Sequence, residues 1–215
     1  MIEFDPAQHP PQKSQAMLSQ LVVPRPIAMI STCSPDGIPN IGPFSYYMAI
    51  TGKPMLIAVS MGAVRDSDGA PKHTYENAMA SGDFVVNVTT ARFRDHIETV
   101  GMEYPSDVNE AEQVGWNLVP ACRVSAPAIA EAAARLECEV RQVIDLGEPG
   151  VAYSAVHLVI AEVVWLVMDE AVCTPDYRVD PLALAPIGRL GYPCFVQAVP
   201  EGVYQLERYA WTSRD

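Results

Sequence analysis

The chain has no C-x-x-C pair, no H-E-x-x-H, no G-x-S-x-G, no Walker-type glycine-lysine loop and no G-x-G-x-x-G after a strand. These gaps strike off dithiol redox chemistry, zinc proteolysis, the hydrolase elbow, P-loop phosphoryl transfer and the Rossmann dinucleotide fingerprint. His9, His73, His96 and His157 are scattered without ligand spacing, so no metal site is expected. "RDSDGA" lacks the ligand ladder and distal glutamate of a calcium loop and reads as a turn. Positive charge is scarce: 14 Lys and Arg stand against 26 Asp and Glu, a net −12. Such a balance argues against a nucleic-acid partner while leaving room for a local basic pocket that takes one small anion. No apolar run is comfortably long enough for a bilayer, since "SAVHLVIAEVVWLVM" is short and carries His157 and Glu162. The opening "MIEFDPAQHPPQKSQ" is acidic and proline-broken, unlike a secretory leader, so a cytoplasmic location is expected. Five cysteines, odd in number and dispersed, read as free buried thiols.

What is present describes an ordinary globular chain: 215 residues, 49% apolar and 19% charged, with 19 prolines spread along it as loop punctuation. No repeat or linker divides it, so residues 1–215 are expected to form one domain. "PIAMISTC", "PMLIAVSM" and "DFVVNVTT" are short, rich in Val or Ile, and bounded by Gly, Pro or Asp, which marks strands. Asp36-Gly37 signals a hairpin turn. "HTYENAMASG" suits a short helix, with Thr74 as N-cap and Gly82 just past its end. "TTARFRDHIETVGM" and "SDVNEAEQVGW" have helical spacing and read as surface helices, and the first fifteen residues as a surface wrap. One segment is in conflict. "AIAEAAARLECEV" favours helix on propensity, yet Leu136, Cys138 and Val140 alternate with Glu137, Glu139 and Arg141; the alternation predicts a strand over 135–144. "HLVIAEVVWLVM" reads as a long buried strand. The sum is a mainly β chain with short helices, best closed into a barrel that hides its edges.

Five clusters of polar or backbone-fixing residues are left over. Arg25 lies between two prolines, with Ser31 and Thr32 closing the strand behind it. "PNIGPFSYY" sets Asn40, Gly42, Pro43 and Ser45 beside Tyr46 and Tyr47. Ser60 ends a strand. "KHTYEN" holds Lys72, His73, Thr74 and Asn77, and "GRLG" holds Arg189. Each has a plain structural reading: the arginines as surface ion pairs, the hydroxyls as turn or cap hydrogen bonders, Lys72 as a solvated lysine, the tyrosines as core aromatics.

In this order, "PRPIAMIST…DG.PN..PFSYY", "S…K.T..N….GDFVVNV", "VNEAE…LVP", "LVIAEVVWLVMDEAV" and "PIGRLGYPCFVQ" resemble the flavin reductase-like family over about residues 20–195. His73 departs from the pattern, which more often has aspartate there. The resemblance implies a split β-barrel that binds FMN, with residues of those five clusters as its cofactor site and no catalytic side chain. It also implies a homodimer in which the second subunit completes the cleft; the apolar stretch around Trp165 is a supporting hint. An isoalloxazine ring wants a flat slot with backbone N–H groups facing it. Pro43 and Gly42 would shape such a slot, Ser45 and Asn40 would meet the pyrimidine edge or ribityl chain, and alternation lets only one of Tyr46 and Tyr47 face it. The phosphate wants helix-start N–H groups, hydroxyls and a cation, which Lys72, Thr74 and Ser60 would supply. Chemistry of this kind belongs to the cofactor, so three functions stay open: hydride transfer from NAD(P)H to flavin, electron carriage from a protein partner as in flavoredoxin, or a split barrel that has lost flavin.

Overall fold

The computed structural model describes residues 1–62, 64–65, 67–147 and 156–206. A 3-10 turn (Pro6–Gln8) and helix α1 (Pro11–Leu21) lead into β1 (Arg25–Pro26), β2 (Ala28–Cys33), β3 (Pro39–Phe44), β4 (Tyr47–Gly52) and β5 (Met55–Ser60). Helix α2 (His73–Ser81) precedes β6 (Asp83–Val88). An excursion follows, made of a 3-10 segment (Ala91–His96), α3 (Ile97–Val100), α4 (Glu110–Val114), β7 (Leu118–Val119) and β8 (Ala128–Ile129). The chain then runs through β9 (Ala134–Asp145), β10 (His157–Met168), α5 (Pro181–Leu184), β11 (Ile187–Gly191) and β12 (Cys194–Gln197).

Seven strands form one antiparallel sheet in the order β3-β2-β6-β9-β10-β5-β4. Its two edge strands, β3 and β4, are consecutive in sequence and separated only by Ser45 and Tyr46. Three residue steps span at most about 11 Å. The edges of a flat seven-stranded sheet would stand about 29 Å apart. The sheet must therefore roll into a barrel, split where β3 meets β4. The Asp36-Gly37 turn that joins β2 to β3 has Gly37 at φ +83°, a left-handed conformation that glycine adopts without strain.

Inside the barrel, alternate residues of five strands converge: Ala28 and Ile30, Ile57 and Val59, Phe84 and Val86, Cys138, and Val159, Ala161 and Val163. The other face of β2 is buried too, because the excursion covers Ile27 and Met29 with Phe93, Ile97, Val100 and Trp116. That double burial explains the unbroken apolar stretch "PIAMI". The strand expected over 135–144 is observed as β9, its Leu136 and Cys138 turned inward. Tertiary pairing with β6 and β10 outweighs the helix propensity of its Ala and Glu residues. Glu137 is nonetheless buried, since its carboxylate accepts the N–H groups of Cys122 (2.8 Å) and Arg123 (2.6 Å).

Some expectations need correction. The opening fifteen residues lie on the surface as expected, with a helix that the sequence reading did not specify running over Pro11–Leu21. Helix α2 starts at His73 with Lys72 as N-cap, so Thr74 is inside the first turn and caps nothing. The first surface helix expected at 89–102 is a 3-10 segment plus a single turn, and it buries Phe93, Ile97 and Val100. All five cysteines are free, but only Cys138 is buried. No helix among the described residues is long and apolar enough to cross a membrane.

Asn87 ties β2, β6 and β8 together without exposure: its amide donates to Met29 O (3.1 Å) and Ser31 Oγ (2.9 Å) and accepts from Ile129 N–H (2.8 Å). Replacing it leaves several buried groups unpaired, each worth about 1–3 kcal/mol. Asn87→Ala is expected to lower the unfolding free energy by at least about 2 kcal/mol in urea titration. A loss of a few tenths would mean that water replaces the amide.

Candidate functional site

A cleft of about 230 Å3 opens where the barrel splits, between residues 40–46, the start of α2 and the segment 100–104 after α3. Two glycines let these walls approach. A Cβ on Gly42 would stand 3.1 Å from both Thr74 Oγ1 and the Phe44 ring, and one on Gly101 would stand 3.2 Å from Pro43 Cγ. Pro39 and Pro43 have the same parity on β3 as Ile41, whose N–H points off the sheet edge to Glu110 Oε2 (2.9 Å). Proline at these positions removes donors that would otherwise face the split unpaired.

One end of the cleft suits an anion. The N-terminus of α2 has no side-chain cap, and the N–H groups of His73 and Thr74 make no hydrogen bond among the described residues. Lys72, half-buried at that terminus, likewise has no partner there. Arg65 also lines this end but is already engaged. Its guanidinium meets Asp68 through two 3.0 Å bonds, Glu76 Oε2 at 2.5 Å and His73 Nδ1 at 2.9 Å. Those carboxylates raise its pKa further above the usual arginine value, chiefly through the Asp68 bonds. Arg65 fixes the ring of His73 and the first turn of α2 while its charge is offset.

The floor is a hydrogen-bonded relay whose two ends, Glu110 and Thr74, are buried. Glu110 Oε1 accepts from Asn40 Nδ2 (2.5 Å), and Asn40 Oδ1 accepts from the Thr74 hydroxyl (2.6 Å). Burial pushes the Glu110 carboxyl upward from 4.5, and the Ile41 N–H and the Asn40 amide oppose that shift. Glu110 reaches this place as the first residue of α4, where Asn109 caps the turn by accepting from Ala111 N–H.

At the corner itself, Pro43, Ser45 and Tyr46 line the cleft, with Ser60 opposite, its N–H donating to Tyr46 O (2.8 Å). Tyr47 turns the other way and packs against the barrel core, where burial raises its hydroxyl to about 12. Only Tyr46 of the pair lines the cleft, and it does so from the bend before β4 rather than from within a strand. A second cleft of about 330 Å3 shares Pro43, Ser45 and Gly101 with the first and is lined by Arg25 and Arg189. These two arginines face each other across the β1–β11 pair. Arg25 caps the end of α1 by donating to Val22 O (2.9 Å) and Ser19 O, and its Nε reaches Ser45 Oγ (3.4 Å). Arg189 bonds Glu98 (2.5 Å) and lies over the Phe195 ring (4.3 Å).

The structure does not bring Ser31, Thr32 or Asn77 into the main cleft. Ser31 and Thr32 are fully buried, Ser31 donating to Pro127 O (2.5 Å) and Thr32 accepting from Asn77 Nδ2 (3.3 Å). Asn77 borders only a small neighbouring hollow. Sequence reasoning missed Arg65 and Glu110. "RDSDGA" read as a turn, and that turn is what folds Asp68 back onto Arg65. Glu110 lies 70 residues from Asn40, beyond any local pattern.

Residues 19–184 match the family model for the flavin reductase like domain. An uncharacterized protein of Halalkalibacterium halodurans is 36% identical over 179 residues, which are 83% of this chain and 84% of that protein. Nitrilotriacetate monooxygenase component B from Bacillus cereus has the same fold at a TM-score of 0.86 and 26% identity, over 97% of this chain and 98% of that one. Flavoredoxin of Desulfovibrio vulgaris has a TM-score of 0.74 at 18% identity, over 97% and 98% of the two chains, a likeness of fold alone. The rolled sheet split between β3 and β4 and the match over most of the chain lead to one statement of kinship: this protein belongs to the flavin reductase-like family of split β-barrels.

Proposed function

We propose that the protein is an FMN-dependent oxidoreductase of flavin reductase type that passes hydride from NAD(P)H to flavin. The observation that carries this reading is the uncapped start of α2, where two N–H groups and the half-buried Lys72 at the mouth of a cleft have no partner among the described residues. In a chain of net charge −12, a cation without an ion-pair partner among the described residues, set at a helix N-terminus, suits a phosphate monoester. The residues present fit FMN: Lys72 and the first N–H groups of α2 for phosphate, and the wall from Gly42 to Tyr46 for the ring. When bound, FMN supplies the hydride chemistry. The chain's own residues then bind, orient and exclude water: Tyr46 offers a face, Ser45 and Ser60 offer hydroxyls, and Gly42 and Gly101 keep the slot narrow. The adjoining cleft gives a second ring access from the Arg25–Arg189 side.

A second reading, an FMN electron carrier reduced by a protein, is favoured by the strong acidity, which suits docking to a basic redox partner. The two separate on one assay. NAD(P)H oxidation with FMN and an acceptor supports the first; inert nicotinamides with salt-sensitive reduction by a ferredoxin-type partner support the second. A colourless preparation that takes up no FMN would leave a barrel without flavin. Free cysteines support a reducing, cytoplasmic location.

For the phosphate contact, Lys72→Ala is expected to weaken FMN by about 1.5–3 kcal/mol, the scale of a charge-assisted bond, and to leave riboflavin nearly unchanged. Equal losses for both flavins, measured by fluorescence quenching, would assign Lys72 to the fold.

A homodimer belongs to the same reading. Strand β4 is a sheet edge exposed from Met48 to Gly52, with Met48 59% and Ile50 45% exposed, and free apolar edges of this kind are normally covered. Sedimentation at micromolar concentration is expected to give twice the 23.4 kDa chain mass; a monomer would overturn this part.

A further inference from the structure

The hydrogen-bonded relay under the cleft fixes more than position. We infer that Glu110 sets the hydrogen-bond polarity of the cleft floor: acting through Asn40, it commits the Thr74 proton inward, so that the Thr74 oxygen meets the bound ligand as an acceptor. The ligand group above Thr74 must then carry an N–H or O–H. This rests on the flavin reading for the identity of the ligand, and it narrows which part of the flavin lies there. The ring N3–H, which can only donate, qualifies, whereas a phosphate dianion, which only accepts, does not.

The logic is one of donor and acceptor counts. An ionised carboxylate only accepts. Glu110 takes Ile41 N–H on Oε2 (2.9 Å) and Asn40 Nδ2 on Oε1 (2.5 Å), so the Asn40 amide has no freedom to turn. Its oxygen therefore faces Thr74, and a hydroxyl 2.6 Å from a carbonyl oxygen must give up its single proton to it. Thr74 is buried yet lines the cleft, leaving lone pairs as its contribution. Glu110 is a positioning residue: it works through Asn40.

Glu110→Gln keeps the shape and inverts the polarity. Ile41 N–H, held by the β3 backbone, requires the glutamine oxygen. The glutamine NH2 then faces Asn40, whose amide must turn its oxygen towards it and its NH2 towards Thr74. The Thr74 proton is thereby released into the cleft. Riboflavin, which keeps the obligate N3–H donor but has no phosphate, is expected to bind Glu110→Gln at least about tenfold more weakly, while inorganic phosphate binds it more tightly than wild type. Thr74→Val is expected to lose riboflavin to a similar degree, and the double variant to lose no more than either single one, as for residues acting in one chain. Unchanged riboflavin affinity in Glu110→Gln, or losses that multiply in the double variant, would overturn the inference. Should Glu110→Gln fail to fold, Thr74→Ser retaining riboflavin and Thr74→Val losing it tests the acceptor; equal affinities overturn it. If the wild type binds no flavin at all, the flavin reading fails and the polarity is read on the ligand-free protein. The Asn40 side-chain NH2 signals in a nitrogen-15 spectrum should lose their carboxylate-bonded position in Glu110→Gln and keep it in Thr74→Val. Signals unmoved in Glu110→Gln overturn the relay.

Discussion

Everything around the cleft depends on one covalent constraint: two residues, Ser45 and Tyr46, join the opposite edges of a seven-stranded sheet. A connection so short forces the sheet to roll, and rolling leaves a seam where β3 and β4 approach without pairing. Backbone donors on a seam have no ladder partner, and burying them unpaired is costly. The chain meets that cost in two ways on β3. It removes donors with Pro39 and Pro43, and it satisfies the one between them, Ile41 N–H, with the Glu110 carboxylate. The features that make "PNIGPFSYY" unusual as a strand are thus the requirements of a seam, and the seam is where the cleft opens.

Charge is handled as economically as the backbone. Four cations gather around the two clefts of a protein that is acidic overall. Arg65 is held by Asp68 and Glu76, Arg25 by helix-end carbonyls, and Arg189 by Glu98. Such partners fix a guanidinium in place and spend most of its attraction. Lys72 alone among them is without a partner in the described residues, although it is half-buried and sits at a positive helix end. A like-signed arrangement of that sort is unfavourable in isolation and becomes favourable when an anion arrives. The distinction between structural and ligand-directed cations therefore lies in pairing, which composition does not reveal.

Local rules made much of this legible. Period-two alternation identified β9 against its helix propensity, because Leu136 and Cys138 feed the barrel core. The Asp36-Gly37 turn and the helix ending at Gly82 followed from glycine chemistry, and both glycines adopt positive φ. The cleft-lining residues from Asn40 to Tyr46, with Ser60 and Lys72 to Thr74, were readable as a set. Ser31 and Thr32 lie outside this cleft, and the reason is long-range. Hydroxyls at a strand end look available until Pro127, Asn87 and Asn77 arrive from elsewhere in the chain to consume them. Glu110 escaped for the converse reason: nothing near it in sequence shows that its carboxylate crosses to β3.

Hydroxyl chemistry shows most clearly why side-chain type alone is insufficient at such a site. From sequence, Thr74 near Lys72 reads as a donor to an anion. In the fold its proton goes to Asn40, because Asn40 is itself held by Glu110. Donor and acceptor roles of Ser, Thr and Asn are decided by whichever neighbour has only one option, and here that neighbour is a carboxylate. The start of α2 at the cleft presents groups whose polarity cannot invert: a lysine ammonium and backbone N–H groups. The adaptable groups, Asn40 and Thr74, have their roles fixed from below by the Glu110 carboxylate.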